Sequence, residues 1–571
     1  MRRQLMPGSD APMALRPRRL FRPFAAAVFG AVGFVPFAAA AIAAILSAPF
    51  AAGPATPLAA QSPMDAVADY REANGARILA DYRELLAIPN VASDSVGIRR
   101  NAEYLRDRLA ALDVDAELLT LPGAPPVVFG ELRAPGATRT LALYVHYDGQ
   151  PADPTSWTHG PWEPTLYTAS MEAGGEPRPW PAPGDGEAGG EAGGGAEAGA
   201  TGEKGRSASS DPIDPEWRVY ARSASDDKVP LGALFPVLEA FRQNGLTPTS
   251  NLILFFEGEE EAGSPHLGEY LERYRDRVAD VDVWLFLDGP THTSGRPQLT
   301  FGVRGVTDLS VTVYGATRSL HSGHYGNWAP VPGMMLARLL ASMKADDGRV
   351  LVDGFYETVA PLGRVERRAL DQLPDTDAEL AAELGLARTE GAPAQLAERL
   401  LLPALTVKGL ASGNVGPLTR NVIPSEATAE LGIRLVKGND PVHMQERVEA
   451  HIRGQGYHIV REDPDMATRL AHRRIAKVTR GGGYPAARTD MSLPVVQDVI
   501  GAAQRAAPDV LLVPSLGGSL PLYLFTDGLG QPAVIVPIAN HDNNQHAPDE
   551  NLRVGNLWYG MDLYAGLLSM E

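Results

Sequence analysis

The chain has 571 residues, 44% of them hydrophobic, which is too long for one core and predicts two domains with appendages. Its formal net charge of -18 argues against nucleic acid and anionic membrane surfaces as partners, because both would repel it. Cysteine is absent, which excludes disulfides, thiolate metal sites and cysteine nucleophiles and leaves His, Asp and Glu to hold any metal.

In chain order, Arg16, Arg18, Arg19 and Arg22 precede an apolar stretch from Phe24 to Leu46 and small residues through Gln61. That order predicts an export signal over residues 1–60 and a periplasmic or extracellular protein. The stretch is long enough to stay as an N-terminal membrane anchor if it is not cleaved. From Pro63 to Leu112 the spacing of Tyr70, Ile78, Leu79, Tyr82 and Leu85, then Tyr104, Leu105, Leu109 and Leu112, predicts two amphipathic helices. Residues 173–210 are Gly, Ala, Glu and Pro with almost no large apolar side chains, and predict a disordered surface insertion. The GxGxxG pattern from Gly184 to Gly189 falls inside it, with neither a strand before nor a helix after, so it predicts no dinucleotide site.

Later apolar runs matter most for where they end. Leu141–Val145 runs into His146-Tyr147-Asp148, and Leu252–Phe256 leads to Glu259-Glu260-Glu261. Val281–Leu287 ends at Asp288, and Ala533–Ile538 precedes a polar loop containing His546. Asp226-Asp227-Lys228 opens a helical pattern from Val229 to Phe241. Short continuous apolar runs separated by helical patterns predict an α/β domain whose mixed, largely parallel sheet is flanked by helices. Ligand sites in such sheets sit at the carboxyl ends of the strands. Alternation through Val306–Val313 and Ala427–Leu435, with helical patterns at Val331–Met343 and Val442–Ile452, predicts an inserted α+β module. The domains are then residues 61–300, an inserted lid or dimerisation domain over 301–480, and a return to the first domain over 481–571. The charged, Ala-rich stretch 346–404 predicts added helices without a legible role.

Each polar segment has a plain explanation by itself. His146 could be a loop histidine, Asp226 or Asp227 a helix cap, the glutamates a solvated loop, and Asp288 a turn residue before Gly289-Pro290. Together they form a set suited to metal-assisted hydrolysis, which needs hard or borderline ligands, an open position for water and a base. Asp148 would hold the second nitrogen of the His146 ring. No G-x-S-x-G motif supports a serine hydrolase.

At this point the chain resembles the M20 family of zinc peptidases, particularly its dipeptidase and carboxypeptidase branch with the carnosine-type dipeptidases. The matching segments are Val145–Pro151, Ala221–Lys228, Glu257–Ser264, Leu287-Asp288, Leu320–Gly323, Asn421–Pro424, Ile433–Leu435, Gly517–Pro521 and the His546 loop. The resemblance implies two Zn2+ per subunit, with Mn2+ or Co2+ as alternatives, one held by His146 and Asp288, the other by Glu261 and His546, and Asp226 bridging. It implies Glu260 as general base, with Asp148 as the supporting carboxylate behind His146. It also implies that His321 reaches the neighbouring subunit's site to stabilise the tetrahedral oxyanion, which makes the chain a homodimer. Arg434 would clamp the substrate's terminal carboxylate, with Asn421, Gly518 and Ser519 completing that pocket.

The chain departs from the family at Ala221-Arg222-Ser223, where Gly-Arg-Gly is usual, and at Val229, where Gly is usual. The implied activity is an exopeptidase cutting dipeptides or C-terminal peptide bonds. The alternatives are an N-acyl amino acid amidohydrolase on the same scaffold and a binding protein that has lost turnover.

Overall fold

The computed structural model describes residues 61–182 and 212–570. The expected export signal over residues 1–60 and most of the Gly-rich insertion lie outside them. All four apolar runs form strands, at Thr140–His146, Asn251–Glu257, Val283–Phe286 and Ala533–Ile535. They are neighbours in an eight-stranded sheet whose order is Asp115–Leu119, Val127–Leu132, Asn251–Glu257, Thr140–His146, Val283–Phe286, Ala533–Ile535, Gln298–Thr300 and Leu511–Val513. The central strands pair in parallel, from Asn251–Glu257 across to Ala533–Ile535. Antiparallel pairing begins on both sides of that block. A parallel block sends its carboxyl ends to one edge, and that edge carries His146, the glutamate segment and Asp288.

Helices cover both faces. On one side Pro63–Leu86, Ser95–Ala110, Val229–Gln243, Pro494–Ala506 and Val554–Leu568 build the larger core. On the other, Leu267–Arg273 and the turn Leu524–Leu529 pack on Tyr144, Phe255, Trp284 and Phe286. Thr140–His146 is accordingly buried at every position, which is why its apolar run does not alternate. Each large apolar side chain so buried stabilises the fold by about 1.5–3 kcal/mol. The first helix starts at Ser62, whose hydroxyl accepts the Asp65 N–H, with Pro63 in the first turn where no N–H is needed.

The inserted module is a five-stranded sheet ordered Ala404–Ala411, Glu426–Leu435, Gly305–Tyr314, Ile475–Tyr484 and His458–Val460. Alternate residues of Glu426–Leu435 are buried, and helices Pro332–Ala341 and Pro441–Gly454 cover that one face. The chain enters and leaves the module through Gly302–Val303 and Ala487–Arg488, which pair antiparallel. The stretch whose role was illegible forms helices Arg364–Asp371, Asp377–Glu383 and Leu396–Arg399. Its first helix returns to the catalytic sheet beside Leu511–Val513, with Ala369 buried in the larger core.

The expected disorder over 173–210 is corrected at its start. Pro177–Arg178 pairs with Thr165–Tyr167, and Trp180 packs on the larger core with the Arg83 guanidinium 5.4 Å from its ring centroid. One aromatic side chain supplies the burial that the surrounding Gly and Ala cannot. A second small sheet, ordered Asn551–Arg553, Arg218–Tyr220, Thr165–Tyr167 and Pro177–Arg178, has no counterpart among the sequence expectations and carries the turn that bears Asp226.

Candidate metal centre and active site

Two groups of potential ligands lie at the carboxyl edge of the sheet. Ligand atoms of His146, Asp227 and Asp288 lie within 4.8 Å of one another, and so do those of Asp226, Glu261 and His546. Asp226 spans both groups: Oδ1 is 3.0 Å from His146 Nε2 and Oδ2 is 3.0 Å from His546 Nε2. His546 Nε2 is also 3.3 Å from Glu261 Oε2. The structure therefore brings together all five expected ligands. It adds Asp227, whose Oδ2 sits 3.4 Å from the backbone N–H of His146. Neither Asp226 nor Asp227 caps the following helix, whose first turn begins after Lys228 without a side-chain cap.

The donor set fits hard or borderline divalent cations. His146 is buried, its Nδ1 faces Asp148 at 3.3 Å from the carbonyl and 3.5 Å from Oδ1, and its Nε2 makes no hydrogen bond. A proton on Nδ1 leaves the Nε2 lone pair free to ligate. The surrounding charges are costly without a cation. Burial, then Asp226 and Glu261, push the Asp288 carboxyl up to about 7 against the opposing pull of His146. Burial also raises Glu260, with Asp288, Asp226 and Glu261 adding to the rise, and raises Asp227 with Asp288 beside it. Asp226 goes the other way, because its close contacts with the His146 and His546 rings outweigh its burial. Contact with Asp226 and Glu261 lifts His546 to about 10.

Backbone contacts set where these groups stand. Asp148 Oδ1 accepts the Glu260 N–H at 3.0 Å and Oδ2 accepts the Glu261 N–H at 3.1 Å, so one carboxylate reaches both His146 and the glutamate turn. Gly258 precedes that turn because a Cβ there would collide with the Tyr147 hydroxyl. Glu259 pairs instead with the His266 ring at 2.9 Å.

On the opposite wall Glu550 accepts the N–H groups of Ser223, Ser225 and Asp226 at 3.0, 2.9 and 2.9 Å and pairs with Arg222 at 2.8 Å. The His546 loop is pinned in turn by Arg218, which holds both Asp542 oxygens. Gln150 donates to Glu261 Oε2 at 2.8 Å and Gln545 donates to Asp226. Sequence reasoning missed Glu550, Gln150 and Gln545; the spacing of Glu550 four residues beyond His546 was the one available signal.

A cavity of about 380 Å³ opens over this edge, lined among others by Asp226, Glu260, Asp288, Gly518, Ser519 and His546. Arg434, on the module's sheet, donates to Ser519 Oγ at 2.9 Å, which joins two of the residues expected to bind substrate. His321 and Asn421 are exposed, His321 on a two-stranded ladder with Val422 and Asn421 just before that strand, and neither lines this cavity. The Gly323 N–H donates to His321 Nδ1 at 3.1 Å, which places the proton of a neutral ring on Nε2.

Known proteins share this organisation. The Cys-Gly metallodipeptidase DUG1 of Candida albicans is 26% identical over 538 residues, covering 89% of this chain and 97% of that protein. The human Beta-Ala-His dipeptidase is 24% identical over 496 residues, covering 85% and 84%. The crystal structure of the M20 family metallo-carboxypeptidase Sso-CP2 from Sulfolobus solfataricus superposes with a TM-score of 0.64 at 25% identity, covering 86% of this chain and 98% of that one. The dipeptidase Dug1p from Saccharomyces cerevisiae gives 0.62 at 21% identity, covering 89% and 98%, and shows the shared fold.

These relatives also correct the expected export. The chain is matched over most of its length with DUG1 metallodipeptidases and a Beta-Ala-His dipeptidase, and among the described residues no helix is long and apolar enough to cross a membrane. The description Peptidase family M20/M25/M40 matches residues 201–570, more than half of the sequence, so the chain belongs to that family and is a hydrolase of peptide bonds.

Proposed function

We propose that the protein is a two-metal exopeptidase acting on dipeptides or on the C-terminal bond of short peptides. The observation that carries this reading is the double reach of Asp226, 3.0 Å from His146 on one side and 3.0 Å from His546 on the other. His146 and Asp288 would hold one cation, Glu261 and His546 the other, and Asp226 both. Zinc suits the N and O donors, with manganese or cobalt able to substitute. Two bound cations supply Lewis acidity, which acidifies water and polarises the scissile carbonyl.

The remaining work falls to the protein. Glu260, its turn held by Asp148, accepts the proton of the attacking water and returns it to the leaving amine. Burial keeps its carboxyl well above the usual range, which suits a group that takes and gives one proton per turnover. Arg434 and Ser519 bind the substrate's terminal carboxylate, the guanidinium in bidentate fashion, beside Gly518. His321, exposed and with its proton on Nε2, donates to the oxyanion of a second copy of the chain in a homodimer.

Names of the matched relatives, a Cys-Gly metallodipeptidase and a Beta-Ala-His dipeptidase, support dipeptides as the substrate class. Metal-loaded protein and its Glu260→Gln variant, assayed on a panel of dipeptides and N-acyl amino acids, test the reading. Metal-dependent cleavage of dipeptides that falls about 100-fold or more in the variant is expected. Absence of any metal-dependent hydrolysis would sink it, and cleavage confined to N-acyl amino acids would replace it with the amidohydrolase.

A further inference from the structure

Arg304 is buried at 6% exposure, yet its guanidinium makes one hydrogen bond, from Nη2 to the Leu402 carbonyl at 2.7 Å, and its Nε has no partner. Among the described residues it has no ion pair, and neither has Arg434. Buried arginines elsewhere in this chain are compensated: Arg222 meets Glu550 at 2.8 Å and Arg218 meets Asp542 at 2.8 Å. An uncompensated buried cation is costly, so its retention calls for an anion that is not part of the chain.

The surroundings say where that anion sits. The backbone N–H of Arg304 donates to the Gly518 carbonyl at 3.0 Å, and the Arg434 guanidinium donates to Ser519 Oγ at 2.9 Å, so the two residues hold one turn, and that turn lines the cavity above Asp226 and Glu260. The register explains the convergence. Arg434 pairs with Val306 and Ala404 on its two neighbouring strands, while Arg304 lies two residues before Val306 and bonds to Leu402, two residues before Ala404. Burial first and Arg434 second pull the Arg304 pKa down to about 10, which leaves it charged at neutral pH and repelled by its neighbour. A carboxylate at the Gly518–Ser519 turn relieves that repulsion.

We propose that Arg304 supplies a second, buried positive charge to the pocket that takes the substrate's terminal carboxylate, and so sets the preference for a free C-terminus over a neutral one. This rests on the exopeptidase reading, and binding can be measured apart from turnover. Arg304→Gln keeps a donor for the Leu402 carbonyl and removes the charge; Arg304→Lys keeps both. Alanine and alaninamide, titrated calorimetrically into the metal-loaded protein, measure the acid-over-amide preference, and Ala-Ala against Ala-Ala-amide measures it in kcat/KM.

In wild type the acid is expected to bind better. In Arg304→Gln the preference falls about tenfold, through KM rather than kcat, and in Arg304→Lys it stays within about threefold of wild type. The inference is overturned if wild type does not distinguish alanine from alaninamide, or if folded Arg304→Gln keeps the wild-type preference. Should Arg304→Gln fail to fold, loss of the preference in folded Arg304→Lys overturns it as well. Failure of every peptide to be hydrolysed overturns the parent reading alone, because the binding titrations still decide the role of Arg304.

Discussion

Glu550 accepts the backbone N–H of Asp226 at 2.9 Å, and through this contact the loop bearing His546 is locked to the turn bearing the carboxylate that faces it. The same carboxylate takes two further N–H groups and the Arg222 guanidinium. Removing it leaves Arg222 buried and unpaired, a loss of about 3–5 kcal/mol. Glu550→Ala is therefore expected to lower the melting temperature and to weaken zinc binding tenfold or more, with Glu550→Gln intermediate on both counts. Calorimetric zinc titration checks this, and a variant that melts early but binds zinc as wild type does would restrict Glu550 to folding.

Metal removal should matter more as pH rises. Asp288 stands near 7 in the metal-free protein against an unfolded value of about 3.9. A raised pKa gives stability that is complete below about pH 4 and is lost as pH rises through 7. Glu550 near 7, Glu257 near 8 and His546 near 10 act with the same sign. Chelator-treated protein should thus melt progressively lower from pH 5 to pH 8. Zinc at about a hundred times its Kd should restore about 2.7 kcal/mol. A metal-free melting temperature that stays flat or climbs over this range would contradict the account.

His321 is exposed, and its ring contacts are the local ones to Gly323 and His324. His321→Ala should leave the melting temperature within a degree or two and lower kcat about 100-fold. If its target is the partner copy's site, mixing inactive His321→Ala with inactive Glu260→Gln protein regenerates activity in the hybrid dimers. No recovery on mixing would confine His321 to its own subunit.

Glu449 is the staple of the inserted module. It lies on helix Pro441–Gly454, and its side chain is 1% exposed while pairing with Arg461 and Arg480 at 2.8 Å and Arg453 at 3.1 Å. Burial opposes its charge, but the Arg480 and Arg461 contacts hold it at about 2. A lowered carboxylate pKa gives stability present above the unfolded value of about 4.3 and lost as pH falls through 2. Glu449→Gln should cost about 3 kcal/mol at pH 7 and little at pH 2. Acid unfolding curves that keep the same gap at both ends would refute this.

The strands were legible because each is buried on both faces, so the apolar runs before His146, Glu259 and Asp288 do not alternate. The candidate ligands stood out for the same reason, since acids and histidines at such ends are conspicuous. Glu550 was not, because three of its partners are backbone N–H groups, which leave no mark in a sequence. Neither was the small sheet, whose strands Arg218–Tyr220 and Asn551–Arg553 are too short to show a period. Trp180 could have warned that the Gly-rich insertion begins after an anchored segment, since a tryptophan amid Gly and Ala needs somewhere to pack.

The return of helix Arg364–Asp371 to the edge of the catalytic sheet gives the inserted module a third fastening beside its two crossing strands. A plate held along one paired seam can swing; one held at a further, separate point cannot, until that point lets go. Movement that carries Arg434 off Ser519 is opposed by the burial of Ala369 in the larger core, at a joint far along the chain from every candidate ligand.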